Sequence, residues 1–170
     1  LWWNDIKTFP NEFFIQNTKI EELNMTSMFE FDFESNLNKI HIFNNLKQLY
    51  LGNNQIPHLT IQFDKLENLE VFGFIRQDSI NLKQLCIKLA YCKKLNTVHF
   101  SGNNIKTLPS EILLLASLEE LNLYQNKIKV LPSDIVKMKN LKEITLIDNP
   151  IDENRIKEIE TKMPKTKIIY

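Results

Sequence analysis

The side chains best suited to chemistry are few: His41, His58 and His99, Cys86 and Cys92, and Ser101 two residues beyond His99. A strand running through His99 and Ser101 turns both side chains to one face. With Glu120 further on, they raise the idea of a hydrolase-like trio of hydroxyl, imidazole and carboxylate. Cys86, Cys92 and His99 do not follow zinc-ligand spacing, so no metal is expected. Neither G-x-x-x-x-G-K nor G-x-G-x-x-G occurs, which leaves no phosphate cradle and no expected cofactor. Lys+Arg and Asp+Glu are equal at 21 each, so the net charge is zero and the charges read as solvated surface. A basic field for nucleic acid or an anionic membrane is missing, and no apolar run approaches the ~20 residues that span a bilayer.

The elements that must position these residues follow from a recurring pattern. Leu118 to Pro132 reads LEELNLYQNKIKVLP, with Leu118, Leu121, Leu123, Asn126 and Ile128 as its skeleton. Leu121 and Leu123 alternate as in a short strand with one buried face, and Asn126 turns the chain. Further copies begin at Ile20 (degenerate), Leu46, Leu69, Leu95 and Leu141, spaced 26, 23, 26, 23 and 23 residues apart through Leu118. Their paired strand residues are Leu23/Met25, Leu49/Leu51, Phe72/Phe74, Val98/Phe100, Leu121/Leu123 and Ile144/Leu146. A single copy cannot bury its apolar face, whereas stacked copies can.

This pattern resembles the leucine-rich repeat family, and the L-P-S-acid-I runs at Leu108–Ile112 and Leu131–Ile135 resemble its bacterial-type 23-residue subclass. The resemblance implies an α/β fold: a right-handed solenoid with a parallel concave sheet, and short helices or 3-10 turns on the convex side. The chain reads as one domain: a truncated repeat 1–19, repeats 20–45, 46–68, 69–94, 95–117, 118–140 and 141–164, and a C-terminal strand 165–170. Leu1 takes a strand position in mid-repeat, so an unprotected first edge is expected. No signal peptide or initiator Met opens the chain, as in a mature form or a fragment.

On the convex side, a helix is expected over Glu34–His41 and another over Asn81–Tyr91, where Leu82, Leu85, Cys86 and Leu89 share a face. Phe29, Phe31 and Phe33 alternate like a strand, yet the 26-residue phase places them on a return leg. Pro57 stiffens another return leg. Asp152 opens a last helix with Ile156, Ile159 and Met163 inward, and a strand through Ile168 and Tyr170 closes the core. Both cysteines fall at small core positions and read as buried free thiols.

Two sets of residues carry the functional expectations. Asn4, Asn54, Gln77, Asn103, Asn126 and Asn149 form an Asn column that bonds loop backbone between copies. The resemblance puts the residues between and after the strand pairs on the concave face, where Tyr50, Val71, Ile75, Arg76, His99, Tyr124 and Ile147 present apolar, aromatic and Arg side chains of the kind enriched at binding hot spots. Trp2 and Trp3 read as an edge left by a missing repeat. On a flat open sheet the Ser101 trio gains no pocket, and the three histidines stand apart. The expected function is therefore non-enzymatic recognition of a protein partner on the concave face, with no nucleic acid and no membrane insertion. The protein is expected to be a monomer, with self-association through a sheet edge as the variation. One alternative is the substrate-recognition part of a larger effector enzyme whose catalytic domain lies elsewhere. Another is a glycan or small-ligand binder using Tyr50, His99 and Tyr124. The family resemblance favours a secreted or cell-surface bacterial protein over a cytoplasmic one.

Overall fold

Each paired apolar alternation of the repeats becomes a short parallel strand. The computed structural model describes residues 6–54, 56, 58–77 and 80–170. Its strands are β1 (Glu22–Asn24), β2 (Gln48–Gly52), β3 (Val71–Ile75), β4 (Thr97–His99), β5 (Glu120–Asn122), β6 (Glu143–Thr145) and β7 (Lys167–Ile169), ordered in one sheet as they are in sequence. Register is in phase throughout: Leu23, Leu49, Phe72, Val98, Leu121, Ile144 and Ile168 lie side by side. Because side chains alternate, that row and the row Met25, Leu51, Phe74, Phe100, Leu123 and Leu146 enter the core together. The strand position expected at Leu1, with Trp2, Trp3 and Asn4, lies outside the described residues, as does Pro57.

The convex legs vary with the length of each copy. Helices α1 (Asn11–Gln16), α2 (Phe33–Leu37) and α3 (Leu82–Leu89) are joined by 3-10 turns at Phe63–Lys65, Ser110–Leu114 and Ser133–Lys137. The helix expected over Glu34–His41 is corrected to α2 followed by a separate 3-10 turn, Ile40–Ile42. Phe33 opens α2 behind the Asp32 cap, so the Phe29–Phe33 alternation is return leg and not strand. Leu82, Leu85, Cys86 and Leu89 form the buried face of α3, and the side chain of Asn81 caps it by accepting from Gln84 N.

At the C-terminal end, α4 (Glu153–Lys162) lies over the core. Asp152 caps it by accepting from Asn154 N and Arg155 N, and Ile156 and Met163 are buried beneath it. The closure is partial: Ile168 is only half-buried and Tyr170 is 52% exposed, whereas the equivalent Ile144 is fully covered by neighbours on both sides.

Backbone pairing does not stop where the strands do. Ser27 N donates to Gly52 O, Asn53 N to Ile75 O, Arg76 N to Ser101 O, Gly102 N to Tyr124 O and Gln125 N to Ile147 O, all within 2.7–3.0 Å. The five donors, together with Asp148, share a left-handed backbone, with φ between 52° and 70°. The turn thus needs positive φ in every copy, and only Gly102 supplies it without a Cβ penalty.

Candidate functional site

The concave face is four residue columns wide. Glu22, Gln48, Val71, Thr97, Glu120 and Glu143 form the first, and Asn24, Tyr50, Gly73, His99, Asn122 and Thr145 the second. Thr26, Gly52, Ile75, Ser101, Tyr124 and Ile147 follow, with the left-handed residues along the rim. Among the residues singled out from sequence, Tyr50, Val71, Ile75, His99 and Tyr124 are half-buried, Arg76 is exposed and Ile147 is 38% exposed. Stiff backbone holds them: each sits in a strand or in its hydrogen-bonded extension.

The structure joins two of these side chains directly. The Tyr50 and His99 rings face each other across β3, with centroids 6.1 Å apart and planes 29° apart. Gly73 stands between them and offers no side chain. Tyr50 Oη donates to Gln48 Oε1 at 3.2 Å. Burial pushes the Tyr50 phenol above its usual range, and the Glu22 carboxylate adds to this. Burial holds the His99 imidazole below its ordinary 6.5, while Glu120 pulls it back. Around Asn122 the polar groups are spoken for: Asn122 Oδ1 accepts from Ser101 Oγ at 3.0 Å and from Tyr124 N at 2.9 Å. The Ser101 hydroxyl therefore engages Asn122 and not His99. His41 lies in a 3-10 turn and His58 on a return leg, apart from the sheet.

The Asn column secures the ends of β1 to β5. Asn54 Nδ2 donates to Met25 O, Gln77 Nε2 to Leu51 O, Asn103 Nδ2 to Phe74 O, Asn126 Nδ2 to Phe100 O and Asn149 Nδ2 to Leu123 O. In return Met28 N, Gln77 N, Asn103 N and Ile128 N donate to the side-chain oxygens of Asn54, Asn103, Asn126 and Asn149. Each side chain reaches back one copy and pairs backbone groups at the end of the neighbouring strand. Asn4 lies outside the described residues. Both cysteines are buried free thiols, with pKa pushed up by burial to about 12, and Cys92 Sγ contacts Phe63 O at 3.4 Å.

The comparisons agree with this geometry. Residues 93–151 match the model of the leucine rich repeat family. A solved leucine-rich repeat protein of Leptospira interrogans matches with a TM-score of 0.73 and 27% identity, over 98% of this chain and 41% of that one. The chain has the leucine-rich repeat fold, and residues 93–151 carry the repeat itself. It spans about two-fifths of the length of that Leptospira structure. No curated protein matches it. Leucine-rich repeat coils are commonly protein-binding modules and typically non-catalytic scaffolds. No helix among the described residues is long and apolar enough to cross a membrane.

Three features of this coil escaped sequence reasoning. A second polar column precedes the leading Leu of four copies: Asn45 Nδ2 donates to Thr18 O, Asn68 Nδ2 to Asn44 O, Ser117 Oγ to Lys93 O and Asn140 Nδ2 to Ala116 O. Its signal was present, a short polar residue just before the apolar one, but it resembles ordinary surface. The left-handed rim was invisible because only one of its members is glycine. The third feature is a cleft of about 430 Å³ between Ile56 and His58–Thr60 on the return leg and the start of α3, lined also by Ile80 and Lys88. It opens where an extended leg abuts a helical one, and Lys88 Nζ bridges it by donating to Leu59 O at 2.7 Å.

Proposed function

We propose that this protein recognises a partner protein on its concave sheet, through Tyr50, Val71, Ile75, Arg76, His99, Tyr124 and Ile147. The observation that carries the reading is the paired Tyr50 and His99 rings, half-buried on a rigid sheet and flanked on neighbouring strands by half-buried apolar residues. Such side chains have already lost much of their freedom, so docking costs little further entropy. Aromatic residues and Arg are the usual energetic anchors of interfaces. The flat face suits a protein surface better than a small molecule, which needs a concave pocket. Similarity to a Leptospira protein supports a bacterial source, and we place the protein among secreted or surface-exposed ones on the same reading.

Site-specific photo-crosslinking tests this. A photoreactive side chain placed at position 124, on the sheet, is expected to capture a partner that the same group at position 91, exposed on the convex side, does not. Unlabelled wild type should compete for that partner, and the Tyr50→Ala/Tyr124→Ala variant should compete about tenfold or more weakly, a loss of ~1–2 kcal/mol or more. Equal competition by the variant sinks the concave site. Capture of a glycan in place of a protein by the wild type would move the reading to saccharide binding.

A further inference from the structure

The chain has only three glycines, Gly52, Gly73 and Gly102, and all three stand in the concave columns or at their rim. Gly73 differs from Gly102 in an informative way. Gly102 has φ 70° and so meets the demand of the turn, whereas Gly73 lies inside β3 with no positive φ. Backbone geometry alone gives no reason for glycine there, and glycine in a strand interior is destabilising relative to alanine. The space it leaves is filled from the next strand. A Cβ at Gly73 would lie 2.5 Å from Tyr50 Cδ1, 3.2 Å from Cε1 and 3.5 Å from Cγ, and those ring atoms are its three nearest neighbours. The Tyr50 ring thus lies across β3 where a side chain would otherwise stand, and meets the His99 ring on β4.

We propose that Gly73 is a positioning residue of the concave site: its bare backbone lets the edge of the Tyr50 ring come in over β3, where Tyr50 and His99 form a two-ring platform spanning β2 to β4 for an apolar or aromatic side chain of the partner protein. The seating of the ring stands on the geometry alone, while its role in recognition rests on the concave-face reading above. The charged and titratable groups acting on the two rings are Glu22 from β1, on Tyr50, and Glu120 from β5, on His99. Gly73 and Asn122, beside His99 on β3 and β5, do not titrate.

The seating is tested without any partner, by a double-mutant cycle. Gly73→Ala should lower the denaturation midpoint when Tyr50 is present, because the ring must swing off the sheet. In the Tyr50→Ala background the same substitution should leave the midpoint unchanged or raise it. An equal fall in both backgrounds overturns the proposal. An NMR titration of His99 supplies a second reading that does not depend on Gly73→Ala folding. The wild-type imidazole should titrate below 6.5 and shift up toward that value in Tyr50→Ala, and also in Gly73→Ala, as the covering ring leaves. A His99 titration unmoved in Tyr50→Ala removes the platform. In the crosslinking competition, Gly73→Ala should lose about as much as Tyr50→Ala alone. Loss with Tyr50→Ala but not with Gly73→Ala overturns the positioning role and leaves the concave site standing. No loss even with Tyr50→Ala/Tyr124→Ala overturns the concave site, while the midpoint and titration results still judge the seating.

Discussion

Asn126 shows what one side chain does for the coil. Its Oδ1 accepts from Asn103 N and Ile105 N, both at 3.0 Å, and its Nδ2 donates to Phe100 O and Leu123 O, both at 2.9 Å. Replacing it with alanine strands buried donors and acceptors of two copies. Asn126→Ala should therefore lower stability by ~1–3 kcal/mol, read from a urea denaturation curve with an unchanged slope. An unaltered midpoint would remove the column from the account. The spacing of these Asn residues was legible because a turn residue recurring in phase has one place to go. Gln77 shows the tolerance of the column: one methylene longer, it still reaches Leu51 O at 3.2 Å and also meets Ile75 O. The contact between Tyr50 and His99 was not legible. The two residues are 49 apart in sequence, and their meeting depends on a glycine in the strand between them.

At the scale of elements, strands were easier to read than helices. Strand phase is set by pairs such as Leu49/Leu51 and Leu121/Leu123, whose alternation has few competing readings. Helix ends depend on local caps, and these decided where expectation and structure part. Asp32 accepts from Ser35 N and starts α2 one residue early, while Asn38 and Lys39 break the helix that the apolar spacing of Phe33, Leu37 and Ile40 suggested. The last helix follows its caps closely. Asp152 satisfies two first-turn N–H groups of α4 and complements the helix dipole there. Asp152→Ala should cost ~1 kcal/mol. The loss should appear as faster amide exchange in Glu153–Lys162 before the strands are affected, since α4 covers only the end of the stack. Uniformly faster exchange along all seven strands would mean that α4 is coupled to the whole coil and not a local lid.

For the whole molecule, stability and the proposed recognition use opposite sides of the same strands. Leu, Phe, Ile and Val on one side form an interior shared between neighbouring copies, and the residues between them line a face held rigid by backbone bonds four columns wide. Rigidity of that kind lets half-buried rings act as anchors without being reordered on docking. Amide exchange of the protein bound to its crosslinked partner tests this most directly. Protection should rise in peptides covering 48–53, 71–76, 97–101 and 120–125, while the convex segments 82–91 and 110–115 stay unchanged. Protection confined to those convex segments, with the concave peptides unaltered, would contradict the account.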